Sequence, residues 1–538
     1  MKRVVSAILL VMLLTSMLYS VFKIMPVQAV VTIYIRADGS IDPPTAPIQR
    51  NGDVYTLTGN IISDADGIVI ERDDIMLSGA DHMVQGTGVG TGITLSQRNN
   101  VTIENMEIKA FQRGIYINES SKINVSENDI TCGYTKYFDG ILLSQSFNNS
   151  VSGNIIRDND KGISLSNSNS TEIRENNIIH SFGGVYLDLD SSYNSIYEND
   201  ITNSVTGIML FLSAANNKLV QNNATNNIYG IEFLYSSNNT MIGNVLDDNY
   251  YGFTVIGWEL SHYIHSIETS NKVNGKPIHY LVNKKDIVID PTSYPQIGCL
   301  ALVNSTNAII EGLTLEGNGD GVLLAYTNDS IVRLNAIVNN FYGMDLWNSS
   351  RNVLTENSIT NNKQGIRACA NSSGNTISEN NIESNEYGTT LDWYSSDNIV
   401  FHNSFVNNTK QAINNNPTNV FDDGYPSGGN YWSDFNPPDV FSGSYQNETG
   451  SDKIGDTPYI IDANNTDNYP LIYPYGYVPS PDFNNDGIID IFDLVRMALA
   501  FGSMPGMPNW DPYVDLNQDG IIDIFDLVVV ALHFGETG

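Results

Sequence analysis

The stretch GGVYLDLD at residues 183–190 decides the fold. Within it, Val185 and Leu187 alternate with Tyr186 and Asp188, which is the period-two pattern of a half-buried β-strand. The apolar side chains therefore point into a core, and the other side chains point outward.

Strands of this kind recur along the chain with a nearly constant period. A glycine opens each one, at Gly92, Gly114, Gly140, Gly162, Gly184, Gly207, Gly230 and Gly252, and again at Gly298, Gly321, Gly343, Gly365 and Gly388. Most successive glycines are 22 or 23 residues apart. Such a period indicates a stack of similar structural units.

A second series of asparagines keeps the same period half a repeat later, each with an apolar residue two positions on. It comprises Asn128, Asn154, Asn176, Asn199, Asn222 and Asn244, then Asn335, Asn357, Asn380 and Asn403. We expect these side chains to stack at a bend, each amide bonding its neighbours above and below, with backbones in the left-handed region. Two or three short strands per repeat, separated by polar turns, are typical of a β-solenoid coil.

The two series predict a mainly β protein, a right-handed parallel β-helix with coils of about 22–23 residues. It covers residues 67–416, with an insertion at about 258–297. The other parts are an N-terminal cap at 30–66, a C-terminal cap at 417–477, a linker at 478–481 and a small helical domain at 482–538.

Residues 1–29 combine a basic start, an apolar run and small residues before Val30, which indicates a secretory signal peptide. We therefore expect a secreted protein associated with the cell surface. The apolar run is also long enough to span a bilayer. Membrane contact is expected only through such an uncleaved anchor.

Acidic residues dominate the charge, since 60 Asp and Glu against 26 Lys and Arg give a net charge of −34. This surface repels phosphate backbones, so we expect no nucleic-acid partner. Cys132, Cys299 and Cys369 lie too far apart in sequence for a disulfide framework or a metal-site spacing. Stability must come from packing, repeats or bound ions.

The coil pattern, the segment NKVNGKPIHYLVNKKDIVI and the closing GGNYWSDF and SDKIGDTPYIIDANNTDNYPL resemble NosD-type β-helix proteins of the pectin-lyase-like superfamily. The resemblance covers roughly residues 60–475 and implies the fold more strongly than any activity. NosD is linked to the assembly of copper sites, yet copper needs clustered His, Cys or Met. His262 and His265 are the nearest candidates, and we do not carry copper over to them.

Two nearly identical acidic loops follow, DFNNDGIIDIFD at 482–493 and DLNQDGIIDIFD at 515–526. Alternate oxygen-bearing residues around a glycine turn are what a Ca²⁺ ion requires. The expected ligands are Asp482, Asn484, Asp486, Ile488, Asp490 and Asp493 in the first loop, and Asp515, Asn517, Asp519, Ile521, Asp523 and Asp526 in the second. Both isoleucines would contribute backbone carbonyl oxygens.

An Asp at the twelfth position and the lack of an entering helix make residues 482–538 similar to dockerins, in which one helix follows each calcium loop. Those helices are expected at Leu494–Phe501 and Leu527–Phe534. The resemblance implies a cohesin partner selected by loop positions ten and eleven. Here these are Ile491-Phe492 and Ile524-Phe525 instead of hydroxyl residues, so the pairs could also join the module's own core or dock onto another domain of the same chain.

Outward positions of the Gly-led strands are where a polysaccharide would bind, with aromatic rings for sugar faces and carboxylates for hydroxyls. The candidates are Tyr186, Asp188, Phe211, Glu232, Asp345, Trp347, Arg367 and Asp392. No pair of carboxylates is marked out as catalytic, so catalytic residues stay unknown. We expect a surface β-helix that binds carbohydrate or an envelope component and docks through calcium. A polysaccharide lyase or glycoside hydrolase, and a purely structural surface protein, are the alternatives.

Overall fold

The computed structural model describes residues 32–133, 137–476, 480–484 and 487–536, which form two compact units, Met1–Ser164 and Leu165–Gly538. The predicted signal peptide at 1–29 lies outside the described residues. Each unit is a parallel β-solenoid, so the predicted parallel coil is confirmed. No helix in the described ranges is long and apolar enough to cross a membrane.

Three ladders of strands run along the coils of the first unit. The first ladder, led by the glycines, contains Ile33–Ile35, Ile68–Ile70, Thr91–Ser96, Arg113–Asn118 and Asp139–Ser144. The second contains Val54–Leu57, Ile75–Ser78, Val101–Glu104, Asn124–Ser126 and Ser150–Ser152, and the third contains Ile61–Ile62, Met83–Gln85, Glu107–Lys109 and Asp129–Thr131. Antiparallel strands Ile41–Asp42 and Ile48–Asn51 lie at the start, and strand Ile155–Ser166 leads out of the unit.

The second unit repeats the three ladders. Its first ladder contains Asn177–Asp188, Thr206–Phe211, Tyr229–Leu234 and Tyr251–Ile256, then Lys276–Val282, Cys299–Val303, Asp320–Ala325, Tyr342–Trp347, Gln364–Cys369, Tyr387–Leu391 and Lys410–Asn414. The second contains Glu172–Arg174, Ser195–Tyr197, Lys218–Val220, Thr240–Ile242 and Ser266–Ile267, then Val288–Ile289, Ile309–Glu311, Ile331–Arg333, Val353–Thr355, Thr376–Ser378 and Ile399–Phe401. The third contains Asp200–Thr202 and Asn223–Thr225, then Thr314–Glu316, Ala336–Val338, Ser358–Thr360, Asn381–Glu383, Ser404–Val406 and Tyr431–Trp432.

The ladders change sheets within the segment predicted as an insertion, because Tyr251–Ile256 and Ser266–Ile267 belong to different sheets from Lys276–Val282 and Val288–Ile289. Strand Ser266–Ile267 extends the second ladder, and Lys276–Val282 pairs in parallel with Cys299–Val303. A short strand, Lys272–Val273, precedes Lys276–Val282 and pairs with it in antiparallel orientation. The stretch 257–265, with the 3₁₀ helix Leu260–Tyr263, departs from the coil.

Close approach between coils explains the glycine period. A Cβ atom added to Gly343 would lie 2.4 Å from the carbonyl oxygen of Gly365, and one added to Gly207 would lie 2.5 Å from that of Gly230. No side chain fits at such distances, so these positions need a residue without Cβ.

The asparagine ladder forms as predicted, but its backbone differs from the prediction. The Nδ2 atom of Asn357 donates to Oδ1 of Asn380 at 2.9 Å, and that of Asn380 donates to Asn403 at 2.9 Å. Glu356, which precedes Asn357, is the residue with positive φ, at 56°. The left-handed residue makes the bend, and the next one turns its amide inward to bond the ladder. Assigning the left-handed backbone to the asparagines themselves was therefore wrong.

After the last coil, short antiparallel pairs close the C-terminal cap, namely Phe441–Ser442 with Glu448–Thr449 and Tyr459–Asp462 with Asn465–Asp467. The final segment holds helices Ile491–Ala500 and Ile524–His533 and the 3₁₀ helix Pro512–Val514. Both helices begin three residues earlier than predicted because Asp490 and Asp523 cap their N-termini.

Candidate functional site

A row of four aromatic side chains lies on the outward face of the first ladder in the second unit. Tyr186 and Phe211 come from neighbouring strands, with ring centroids 6.3 Å apart. Tyr235 follows the next strand at 6.0 Å from Phe211, and Trp258 stacks on Tyr235 at 4.0 Å. We call these four residues the aromatic row.

Two carboxyl groups lie on the same strand face as the aromatic row. Asp188 is partly exposed and follows Tyr186 on its strand. Glu232 stands in register with Met209 and is only 7 % exposed, and Thr206 Oγ1 donates to its Oε2 at 2.9 Å. Burial raises the pKa of Glu232 to about 7. The face therefore combines rings for stacking with carboxyl groups that can bond hydroxyls.

Tyr235 and Trp258 were missed by the sequence analysis because both lie just past the ends of their strands. The signal was present, since Phe211, Tyr235 and Trp258 recur at nearly the coil period. Predicted residues Tyr186, Asp188, Phe211 and Glu232 do lie on one face.

Three other predicted residues form a separate, buried cluster. Arg367 makes two hydrogen bonds to Asp345, at 2.8 and 2.7 Å, and Asp345 is 2 % exposed. The guanidinium group lies 3.8 Å from the ring centroid of Tyr342, and Trp347 is buried. Burial, and then the charge of Asp345, raise the pKa of the neighbouring Asp320 well above its usual range.

The 257–265 stretch covers this cluster. The Tyr263 ring lies 6.2 Å from that of Trp347, and its hydroxyl bonds the backbone of Gly257. Tyr280 holds the stretch from below through a 2.6 Å hydrogen bond to the Tyr263 carbonyl. Asp345, Trp347 and Arg367 are therefore not on the open surface, contrary to expectation.

Asp392, the eighth predicted residue, directly follows the strand Tyr387–Leu391 and is partly exposed. Its Oδ1 atom accepts hydrogen bonds from Asn415 Nδ2 at 2.9 Å and from the backbone of Trp393 at 2.7 Å. It is not joined to the aromatic row.

The two histidines of the 257–265 stretch do not fit a copper site. His265 Nδ1 accepts from the backbone of Asn239 at 3.2 Å, and its Nε2 lies 2.9 Å from the His262 carbonyl oxygen. Burial lowers the pKa of His265 to about 3. Cys132, Cys299 and Cys369 are all buried, and each is a free thiol.

In the part of the chain that the structure describes, no three His, Cys, Asp or Glu side chains gather around one point. This includes the two acidic loops, whose carboxylates bond backbone N–H groups and do not converge on one point. Asp526 Oδ1 accepts from Leu516 and Asn517, at 2.8 and 3.2 Å. Asp493 does the same in the first loop, and Asp486 lies outside the described residues.

Among the described residues, the first carboxylate of each loop has one oxygen that accepts a hydrogen bond and one that does not. Oδ2 of Asp482 accepts from Gly487 at 3.0 Å, and Oδ2 of Asp515 accepts from Gly520 at 2.9 Å. Oδ1 of both residues is buried and makes no hydrogen bond to a residue that the structure describes. An orphaned carboxylate oxygen inside a glycine-turned loop fits a cation ligand.

The helices of this module expose large apolar faces. The core is formed by residues such as Met497 and Val530, while the predicted docking positions are exposed. The exposed residues are Ile491, Phe492, Val495 and Leu499 on one helix, and Ile524, Phe525, Val528 and Leu532 on the other. The alternative that loop positions ten and eleven join the module's core is therefore wrong.

Comparison with known proteins gives one family. The model of the family described as periplasmic copper-binding protein (NosD) matches residues 66–259 and 257–437. No curated protein matches the sequence.

Solved structures similar to the chain include a DFA-IIIase from Arthrobacter chlorophenolicus A6, at 12 % identity and a TM-score of 0.33, covering 51 % of this chain and 70 % of that one. A periplasmic alginate epimerase AlgG has 12 % identity and a TM-score of 0.28, covering 65 % and 78 %. The mannuronan C-5 epimerase AlgE4 A-module from Azotobacter vinelandii has 14 % identity and a TM-score of 0.27, covering 65 % and 90 %. At this similarity their activities do not transfer to the chain.

Proposed function

The chain belongs to the family of periplasmic copper-binding proteins (NosD), and from that premise we propose that it is an exported surface protein that binds carbohydrate along its aromatic row. The aromatic row is the observation that carries the proposal. Copper is not part of it, because the histidines and cysteines of the described residues do not fit a copper site.

The chemistry of a sugar ring matches this surface. The apolar face of a pyranose stacks on an aromatic ring, and Tyr186, Phe211, Tyr235 and Trp258 offer successive rings at 6.3, 6.0 and 4.0 Å. Asp188 lies beside them as a hydrogen-bond acceptor for hydroxyl groups. The four rings come from successive coils, so the row suits an extended chain better than a single sugar.

Glu232 favours a second candidate function, that of a polysaccharide lyase or glycoside hydrolase. Its pKa of about 7 suits a group that gives and takes a proton near neutral pH. Hydrolysis needs a second carboxylate across the bond, and Asp188 is a candidate on this face.

Glycan-array and calorimetric binding with the full chain test the proposal. Phe211→Ala and Trp258→Ala each remove a ring and should weaken binding about tenfold. Tyr445→Ala is the matched control, because Tyr445 is an exposed aromatic residue of the cap, away from the row. Equal binding by all variants contradicts the proposal, and release of new reducing or unsaturated ends by wild type but not by Glu232→Gln supports the enzyme.

We also propose that residues 482–538 are a dockerin-like module that binds one Ca²⁺ in each loop. The support is the orphaned Oδ1 of Asp482 and Asp515 together with the matching hydrogen bonds of the two loops. Asn484, Asp490 and Asp493, and the Asn517, Asp519, Asp523 and Asp526 of the second loop, would supply further oxygens, with the carbonyls of Ile488 and Ile521 and with Asp486. Bound Ca²⁺ would supply positive charge among carboxylates that otherwise repel one another.

The exposed apolar faces support docking of a partner through the two helices. Leu499 is 75 % exposed and Leu532 is 73 % exposed, which is unusual for leucine unless a partner covers it. A cohesin-like partner with an apolar surface suits the Ile-Phe pairs at positions ten and eleven better than one that recognises hydroxyl groups.

Calcium titration of the full chain by calorimetry tests the module. Wild type should bind two ions, Asp482→Ala one, and Asp482→Ala with Asp515→Ala none. Asp434→Ala, a change at an acidic residue of the cap outside the loops, should leave both sites intact. Unchanged stoichiometry in the double variant would refute the site assignment.

A further inference from the structure

The two acidic loops differ in what surrounds them. The Tyr473 hydroxyl, from the C-terminal cap of the β-helix, donates a hydrogen bond to Oδ2 of Asp515 in the second loop. Lys453, also from the cap, donates to Gln518 Oε1 of the same loop at 2.7 Å. Asp482, the equivalent of Asp515 in the first loop, receives no hydrogen bond from a described residue of the cap.

Asp515 is therefore oriented from two sides. Gly520 N–H of its own loop and the Tyr473 hydroxyl both bond Oδ2, and Oδ1 has no partner in the described part of the chain. The residue is 0 % exposed. A carboxylate fixed in this way presents one oxygen to a cation at little further conformational cost.

The contact with the cap extends beyond the loop. Asn436 of the cap accepts from the backbone N–H of Gly506 at 3.3 Å and donates to the Met507 carbonyl at 3.0 Å. Tyr431 of the cap and Tyr513 of the module share a hydrogen bond between their hydroxyl groups. These contacts hold the module to the cap without touching a loop carboxylate. A variant that removes one of them therefore weakens attachment to the cap without changing the contact at the loop.

We propose that the second calcium site is completed by the β-helix cap, with Tyr473 as the positioning residue for Asp515, so that Ca²⁺ in this loop and attachment of the module to the cap strengthen each other. This inference rests on the proposed calcium binding. Its physical reason is that the contact buries a carboxylate oxygen that no donor satisfies, which is costly until a cation binds it. By linkage, what favours the bound ion also favours the contact. The first loop binds its ion independently of the cap.

The test uses the full chain and CaCl₂ in calorimetry, with hydrogen exchange of residues 503–516 read in parallel. Tyr473→Phe should weaken the second site about tenfold, leave the first unchanged, and abolish most of the calcium-dependent protection of 503–516. Tyr513→Phe removes another cap-contacting hydroxyl, one that touches no loop carboxylate, so it should weaken the second site much less than Tyr473→Phe does and leave the first site unchanged.

Asp482→Ala serves as the second comparison, because it removes the first site while the calcium-dependent protection of 503–516 should persist. Two unchanged affinities in Tyr473→Phe, or equal protection in Tyr473→Phe and wild type, would overturn the coupling while leaving two-site calcium binding intact. Failure of wild type to bind Ca²⁺ would instead refute the calcium module itself.

Discussion

Replacing Asn357 with alanine tests how far the buried amide ladder stabilises the coil. Its Nδ2 atom donates to the carbonyls of Val332 and Thr355, both at 2.8 Å, and to Asn380 Oδ1 at 2.9 Å. Its Oδ1 accepts from the backbone N–H and the side chain of Asn335, at 3.0 and 2.9 Å. Two N–H groups shared among three acceptors, plus two accepted bonds, amount to about four full hydrogen bonds. At about 1 kcal/mol each, the variant should lose about 4 kcal/mol.

Urea unfolding followed by circular dichroism measures the loss, with hydrogen exchange of the neighbouring coils because repeat arrays can unfold in parts. Asn381→Ala is the matched control, since Asn381 lies on the next coil, is exposed, and contacts Glu383 at 3.3 Å. It should change stability by less than about 0.5 kcal/mol. A loss below about 1 kcal/mol for Asn357→Ala, or one equal to the control, would refute the account of the ladder.

Three further predictions concern the coil and its outward face. Leu187→Asp places an unpaired charge in the core and should cost about 4 kcal/mol, whereas Asp188→Ala should cost under about 1 kcal/mol, so similar melting temperatures would contradict the strand register. Gly343→Ala puts a methyl group 2.4 Å from the carbonyl of the next coil and should cost about 2 kcal/mol, while Gly59→Ala, whose nearest neighbour would be 3.6 Å away, should be nearly neutral in the same unfolding assay. Because burial raises the pKa of Glu232 from 4.5 to about 7, the folded state keeps a proton that the unfolded state releases in this range, and the stability it contributes is present below pH 4.5 and lost as the pH rises to 7. In Glu232→Gln, the fall in the free energy of unfolding between pH 5 and pH 8 should be about 3 kcal/mol smaller than in wild type. The same fall in variant and wild type would contradict the raised pKa.

The coil could be predicted from the sequence because its cause is local and repeated. Most glycines of the series meet the carbonyl of the next coil, and ladder asparagines meet the next asparagine, so one period appears in both series. Burial of Asp345 and Trp347 could not be predicted in this way, because Tyr263 covers them from a stretch some 80 residues earlier. A contact made once leaves no period in the sequence.

The C-terminal module shows a similar division. Its two acidic loops stand out in the sequence because a bound cation would dictate the spacing of their oxygen-bearing residues, whereas the exposed sides of its helices were left open. Both helices carry apolar residues on all sides, so the sequence does not distinguish Met497, which is buried, from Leu499, which is exposed. Packing in three dimensions decides between them.

The asparagine ladder also determines where the chain tolerates a change of length. Ladder partners are 22 or 23 residues apart in most coils, yet Asn128 and Asn154 are 26 apart, and Asn403 and Asn430 are 27 apart, with hydrogen bonds of 3.0 Å in both pairs. Extra residues are thus absorbed in the turns between ladder positions without altering the spacing of the coils. We therefore expect a foreign peptide grafted into such a turn to leave the ladder hydrogen bonds intact.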